Sequence, residues 1–460
     1  MIGLSKYKRI HCLGIGGVGL SAIAEILLDQ GHIVSGSDMN RSQITQKLEE
    51  KGIKVYYNHA SENVMNADLV VYSAAVSADN PEMIMAEKLR IPRISRAEIL
   101  GELMANYKRS IAICGTHGKT TVTSMTSLIL KNADYSPTIL VGGNLEEING
   151  NVEIGSSDIF ITEACEYMDS FLSLSPKVGV VLNIDSDHLD YFKNIENIKS
   201  SFKQFVNQVA DDGVVIAYDG NPFVKDVLKE VKNKITYGYF EVNDYYAENI
   251  HFDDVGFPEF DVCRKGKKIT HLHLSVPGEH NVLNAMAAFS TASYLGVPIE
   301  DIKKTLENFK GTHRRFDIVG VTENGVQIID DYAHHPTEIK ATLKAVKNVK
   351  HKKTWCIFQP HTFTRTKALF DEFVDAFEGL DNLILTDIYA AREKDIYGIS
   401  SEILAKKIKE KYKEKNVLYI KDFEEIANYL RTQAVAGDIV MTMGAGDVYK
   451  IGKILMKGRA

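Results

Sequence analysis

The sequence predicts an α/β protein built of three units. Three observations lead there. The chain has 460 residues, and at roughly 150 residues per domain that is enough for about three separate cores. Short apolar runs alternate with stretches of helical period along most of the length, the pattern of parallel sheets joined by helices. Glycine-rich or polar turns fall directly after several of those apolar runs, where open α/β sheets collect their ligands.

In chain order, Arg9 to Leu13 reads as a strand, followed by Gly14, Gly16, Gly17 and Gly19 and then a helix carrying Leu20, Ala24, Leu27 and Leu28. His32 to Gly36 and Asp68 to Ser73 read as the next strands. A second unit starts near Arg109: Ser110 to Cys114 is a strand, GTHGKTT a turn, and Val122, Met125, Leu128 and Ile129 mark a helix. Asp158 to Thr162 and Lys177 to Leu182 are further strands. Residues 234–274 are polar and alternating, with turns near Gly256 and Lys265-Gly266, which predicts a small antiparallel layer before the alanine-rich helix of His280 to Leu295. In the third unit Val326 to Asp330, Thr354 to Phe358, Asn382 to Leu385 and Asp438 to Met441 are strands, and Ser401 to Glu414 is a helix. The expected domains are 1–107, 108–312 and 313–460.

Composition narrows the class. Charged residues are 25% and hydrophobic residues 45%, near the globular average, which excludes a disordered, collagenous or disulfide-scaffold chain. The net charge of −7 offers no basic excess for nucleic acid. Five cysteines, never spaced as CxxC, point to reduced thiols and a cytoplasmic setting. The opening apolar run is broken by glycines, unlike a signal peptide, and no apolar stretch reaches the roughly 18 residues of a membrane span.

Gly115-Thr116-His117-Gly118-Lys119-Thr120-Thr121 offers the four things a phosphate loop needs: glycines that turn N–H groups inward, a helix N-terminus, a lysine and a hydroxyl for Mg²⁺. It departs from GxxxxGK[ST] at Ile113, which stands where the first glycine belongs. Gly14-x-Gly16-Gly17-Val18-Gly19 with Asp38 fits a dinucleotide or, equally, another diphosphate such as a nucleotide sugar. Glu163 and His188 end strands and can ligate a metal; for a hard cation the carboxylate is the better donor. Asn281 and Asn284 can read a base edge or cap the helix. Arg314 and Arg315 can hold phosphate, and DDYAHHP and QPHTFTR are polar loops at strand ends.

Nine stretches, GIGGVGLS, GTHGKTT, EACEY, NIDSDHLDYF, GEHNVLNA, HRRFD, DDYAHHPTE, FQPHTFTRT and MGAGD, resemble in order the motifs of the Mur ligases, from residue 14 to residue 447. The resemblance implies a Rossmann-like N-terminal domain for a UDP-sugar, a central P-loop-type ATPase domain and a C-terminal Rossmann-like domain for an amino acid. It implies a reaction in which ATP phosphorylates the lactyl carboxylate of UDP-N-acetylmuramate and L-alanine attacks the acyl phosphate, in peptidoglycan precursor synthesis. Lys119, His188 and Arg315 resemble the catalytic residues. Gly115, Thr116, His117, Gly118, Lys119, Thr120, Thr121, His280, Asn281, Asn284, Arg315 and Asp331 resemble the ATP contacts, and Thr120, Glu163 and His188 the ligands of two Mg²⁺ ions. Gly14, Gly16, Gly17, Val18, Gly19, Ser37, Asp38 and Ser73 resemble the UDP-sugar site, and Tyr332, His334, His361 and Arg365 the amino-acid pocket. The family's carbamylated lysine has no assigned counterpart here, although Lys199 and Lys203 are nearby. The implied assembly is a monomer or homodimer without nucleic acid. Two other classes compete: a nicotinamide-dependent oxidoreductase, which leaves GTHGKTT unexplained, and a non-catalytic nucleotide sensor, which would have lost residues that are present here.

Overall fold

The computed structural model describes residues 2–253, 256–391 and 393–457. The chain divides into two compact units, one made of Met1–Ile184, Lys199–Thr236 and Ala287–Ile302, the other of Asp185–Ile198, Tyr237–Met286 and Lys303–Ala460.

The first unit opens with a five-stranded parallel sheet of β1 (Arg9–Leu13), β2 (Ile33–Ser37), β3 (Lys54–Tyr56), β4 (Leu69–Tyr72) and β5 (Arg93–Ser95), in the order β3-β2-β1-β4-β5. The order reverses between β1 and β4, which opens a crevice at the carboxyl ends of those strands. The glycine turn after β1 lies there, followed by the helix Val18–Asp29. The unit continues with β6 (Arg109–Cys114), β7 (Thr138–Leu145), β8 (Gly150–Glu153), β9 (Ile159–Glu163), β10 (Val178–Val181) and β11 (Val214–Tyr218), ordered β11-β10-β6-β9-β7-β8. All pair in parallel except β7 with β8. Ile111, Ala112, Ile113 and Cys114 are wholly inaccessible, because a central parallel strand is covered on both faces.

β12 (Lys234–Gly238) spans the division between the units, and its last two residues pair in parallel with β13 (Tyr245–Phe252). β13, β14 (Pro258–Arg264) and β15 (Lys267–His273) form an antiparallel layer, as expected for most of residues 234–274, whereas β12 at the start of that stretch is parallel instead. Lys265 and Gly266 turn its second hairpin with positive φ.

The last sheet has β16 (Asp317–Val321), β17 (Gln327–Asp331), β18 (Thr354–Phe358), β19 (Asn382–Leu385), β20 (Asn416–Tyr419) and β21 (Ile439–Met443), ordered β16-β17-β21-β18-β19-β20, with only β16 antiparallel. Alternate residues feed two cores. Cys356, Phe358, Met441 and Met443 pack on one face, and Trp355, Ile357 and Val440 on the other.

Arg9–Leu13, Thr354–Phe358 and Asn382–Leu385 are strands as expected; where other element edges differ, they do so by one to three residues, for local reasons. Asp438 stays outside β21 because its carboxylate caps a turn, accepting from Val435 N and Trp355 Nε1 at 3.1 Å each. The helix expected to reach Glu414 ends at Lys411, where Tyr412 takes φ −117 and ψ 76. Among the described residues no helix is long and apolar enough to cross a membrane. All five cysteines are free thiols.

Candidate active site

The phosphate loop sits between β6 and the helix Lys119–Asn132. Gly115 has φ +145 and Gly118 φ +89, conformations that a side chain disfavours. A Cβ on Gly115 would also lie 2.9 Å from Leu182 Cβ. Ile113 departs from the phosphate-loop pattern because β6 continues through it, fully buried, so the turn begins two residues later. Asn183, just past β10, clamps the turn: its Oδ1 accepts from His117 N at 2.8 Å, and its Nδ2 donates to His117 O at 2.9 Å. Thr116 N donates to Asn183 O at 3.1 Å.

Lys119 Nζ folds back over this turn, 2.5 Å from Gly115 O and 3.1 Å from Thr116 O. Its counter-ion is Glu166, at 2.9 and 3.1 Å. Burial would lower the ammonium pKa, but the carboxylates, Glu166 foremost, raise it on balance, so the charge is secure. Glu166 and Asn183 lie inside stretches the motifs cover, yet sequence inspection assigns them no role. Their signal was a carboxylate and an amide directly after buried strands. Glu163 ends β9, and its Oε1 accepts from Gly142 N at 2.6 Å. Thr120 approaches the adjoining glycine, with its methyl 3.2 Å from where a Cβ on Gly143 would stand. Glu163 and Thr120 therefore border the same stretch of β7, and Thr121 follows in the first turn of the helix.

At the crevice of the first sheet, Gly14 N and Ile15 N donate to Ser37 O at 2.8 and 3.1 Å. Asp38 spends both oxygens on main chain, accepting from Gly16 N and Asn40 N at 3.0 Å each, so its carboxylate organises the turn. Gly17 caps the following helix, and Val18 at its first position is 43% exposed. Ser73 Oγ accepts from Ala75 N at 3.1 Å. Ser37 points inward: it is wholly buried and its hydroxyl donates to Glu82 at 2.6 Å. The Arg96 guanidinium lies so close to Gly19 that a Cβ there would stand 2.4 Å from Nη1. This cation beside the glycine turn belongs to no motif and was not foreseen.

In the second unit a polar cluster gathers loops from four separated stretches. Arg365 Nε and Nη2 each lie 3.1 Å from Asp187 Oδ1, and Arg365 Nη1 lies 3.2 Å from His361 Nδ1. Burial would raise the Asp187 pKa, but the Arg365 guanidinium holds it well below the usual carboxylate range. His361 stacks on Tyr389 with ring centres 5.6 Å apart, and lies 5.8 Å from the ring of His334. Tyr332 meets His334 edge-on at 5.5 Å. Glu338 Oε2 accepts from His334 N and His335 N at 3.0 and 3.2 Å, closing the start of the helix Pro336–Lys347. Burial pushes the His334 pKa down to about 3 and that of His361 down to about 4, so both rings are neutral near pH 7. His188, at φ +52, opens the short helix Leu189–Phe192, with Nε2 3.7 Å from Asp187 Oδ2.

Arg315 lies 5.1 Å over the Tyr332 ring and 3.9 Å from Glu338. Arg314 is differently engaged, bonded to Asp330 and Gly444 O and lying between the rings of Tyr332 and Tyr449. Asp331 accepts from Phe316 N and Ala333 N at 2.7 Å each. Burial lifts its pKa to about 6 against the pull of Arg315. Asn281 Nδ2 donates to Pro277 O at 2.8 Å, Asn284 Nδ2 donates to Asn281 Oδ1 at 2.9 Å, and His280 is exposed beside them. Lys199 and Lys203 are both ion-paired, with Asp226 and Glu230 at 3.0 Å.

A half-buried lysine on a glycine turn at a helix N-terminus, in a chain that also carries a glycine turn at the crevice of a parallel sheet and an arginine-centred polar cluster, fits a phosphoryl-transfer enzyme with more than one substrate. Comparison with known proteins agrees. Residues 9–108 match the family model described as Mur ligase family, catalytic domain; residues 113–292 match the Mur ligase middle domain; residues 314–446 match the Mur ligase, glutamate ligase domain. The chain belongs to the Mur ligase family. It is 51% identical over 457 residues to the UDP-N-acetylmuramate–L-alanine ligase of Acetivibrio thermocellus, covering 99% of this chain and 97% of that one. It is also 51% identical to the enzyme of that name from Clostridium acetobutylicum, over 98% of this chain and 97% of that one. Among solved structures, the UDP-N-acetylmuramate–alanine ligase of Thermotoga maritima superposes with a TM-score of 0.81 at 28% identity, covering 98% of both chains. A murein peptide ligase from Psychrobacter arcticus shares the fold, with a TM-score of 0.71 at 24% identity over 98% of both chains.

Proposed function

We propose that this ligase joins L-alanine to the lactyl carboxylate of UDP-N-acetylmuramate at the expense of ATP, in the synthesis of peptidoglycan precursors. The full-length similarity to enzymes of that name supports the substrates. The observation that carries the mechanism is Lys119, held charged over the Gly115–Gly118 turn by Glu166.

A carboxylate does not accept an amine, because its charge repels attack and oxide is a poor leaving group. Transfer of the γ-phosphoryl group of ATP removes both obstacles. Gly115 to Thr121 would cradle the phosphates through main-chain N–H groups, and Lys119 would stabilise the charge on the transferring group. Glu163 would supply a carboxylate oxygen and Thr120 its hydroxyl, donors that suit Mg²⁺, and His188 would serve a second ion. Bound Mg²⁺ would neutralise charge as two anions meet. Asn281, with His280 and Asn284, would take the adenine. Arg315 would contact the nucleotide directly, and Asp331 would serve it by fixing the backbone at Phe316 and Ala333. The turn Gly14–Gly19, shaped by Asp38 and the Ser37 carbonyl, would bind the UDP-sugar together with Ser73. Arg365 would take the carboxylate of L-alanine, bordered by Tyr332, His334 and His361. The domains serving sugar nucleotide, ATP and amino acid would be 1–107, 108–312 and 313–460, working in the cytoplasm.

Phosphate release measured with ATP, Mg²⁺ and UDP-N-acetylmuramate, varying the amino acid, tests this. Release is expected only with all substrates and best with L-alanine. Release without the sugar nucleotide, or a stronger response to a tripeptide than to L-alanine, would replace the assignment.

A further inference from the structure

Beneath the carboxyl end of the first sheet lies a buried knot that the mechanism above does not use. Its centre is Glu82, with no exposed surface, in the first turn of the helix Pro81–Lys88. Oε2 accepts from Ser37 Oγ at 2.6 Å and pairs with His59 Nδ1 at 2.8 Å. Oε1 accepts from Asn63 Nδ2 at 2.6 Å and faces His11 Nε2 at 3.5 Å. Asn63 also donates to Asn58 O at 3.1 Å, fastening the loop that carries His59. One carboxylate thus ties together the end of β2, the loop after β3 and the helix after β4.

Burial would raise the Glu82 pKa, but the neighbouring His11 ring and hydrogen bonds from Ser37, Asn63 and His59 pull it down to about 2. An ionised carboxylate removed from water is costly, and an apolar residue would serve folding as well. Its position points to another use. An ionised oxygen only accepts, so His59 carries a proton on Nδ1. Glu82 is fully covered while the His59 side chain is 21% exposed, so the open part of the ring is the edge away from Nδ1. Residue 59 follows β3, and Tyr56 is the register partner of Ser37, so this edge stands at the same end of the sheet as Gly14–Gly19, Asp38 and Ser73.

We propose that Glu82 is a positioning residue of the sugar-nucleotide site: it fixes the tautomer and direction of His59, whose Nε2 contacts a hydroxyl or imide donor of the ligand. The assignment rests on the reading that this domain binds the UDP-sugar. The carboxylate also accepts the hydrogen bond of the Ser37 hydroxyl, so that residue serves the ligand through its main chain.

The test is calorimetric binding of UDP-N-acetylmuramate to the full chain, with KM values for all three substrates, in Glu82→Gln, His59→Ala and the double variant. Each single variant is expected to weaken UDP-N-acetylmuramate binding about tenfold, the worth of one good hydrogen bond, with KM for ATP and L-alanine and kcat at saturation within about twofold. The double variant is expected to bind no worse than His59→Ala, since Glu82 acts through that ring. Unchanged binding in Glu82→Gln, a loss confined to kcat or melting temperature, or additive losses in the double variant would overturn the proposal. If Glu82→Gln does not fold, unchanged binding in His59→Ala overturns it alone. Wild-type chain that fails to bind UDP-N-acetylmuramate at all would instead refute the functional reading beneath it.

Discussion

The glycine turn after β6 and the arginine-centred pocket, each proposed above to hold an anion, are built by opposite means. The loop is local: seven consecutive residues, two glycines with positive φ and a lysine that reaches back three and four positions to its own turn. Asn183 and Glu166 come from elsewhere. The pocket is assembled: Asp187, Tyr332, His334, His361, Arg365 and Tyr389 come from four stretches, and each side chain is oriented by the others. A backbone-built site is specified by conformation, whereas a side-chain-built site is specified by packing. The first tolerates little change at its glycines, and the second tolerates little change in its ring partners.

Lys119→Ala should break the comparison most severely. It is expected to lower kcat by about 10³-fold, because a preorganised cation at the transferring group has no substitute. Phosphate release under saturating substrates measures it, and near-normal turnover would show that the loop does not carry the chemistry.

Acid should separate the two sites next. His334 and His361 have folded-state pKa values of about 3 and about 4, below the ordinary 6.5, so the unfolded chain binds more protons in the interval between. Their contribution to stability is therefore present above pH 6.5 and is lost as pH falls toward 4, a change on the order of 3 kcal/mol for each ring. Urea unfolding between pH 7 and pH 4, with hydrogen exchange resolved by segment, should show residues 332–361 opening before residues 115–121. The reverse order would contradict the burial of these rings.

Gly115→Ala tests the conformational half. With φ +145 and a contact of 2.9 Å awaiting its methyl, it should cost about 2 kcal/mol and raise KM for ATP more than KM for L-alanine. Thermal melts and paired KM measurements check both parts.

Arg365→Lys sharpens the other half with the smallest effect. The charge survives but the two-pronged grip on a carboxylate does not, so KM for L-alanine should rise about tenfold while KM for ATP stays put. Equal changes in both would move Arg365 out of the amino-acid pocket.

How much was legible in the sequence follows the same division. GTHGKTT announced itself because its spacing is the geometry: neighbours in sequence are neighbours in space. The strands around it were readable because a strand covered on both faces must be apolar throughout. Arg365 and His361 were recognisable through a family motif, but their partnership with Asp187 and Tyr389 was not, since nothing local joins residue 187 to residue 365. Glu166, Asn183, Arg96 and Glu82 escaped notice for the same reason: a lone polar residue after a strand looks alike whether it faces solvent or the centre of a site.

By itself, then, the sequence determined the layered α/β architecture, the glycine turn between β6 and its helix and the membership of the Mur ligase family, because periodicity and short-range spacing act through the adjacent backbone. Tertiary structure alone decided that Asp38 serves its own turn, that Ser37 faces Glu82 and that Asp187 holds Arg365. Those outcomes depend on which distant side chain arrives with a matching charge or proton once water is excluded, and no interval along the chain encodes that meeting.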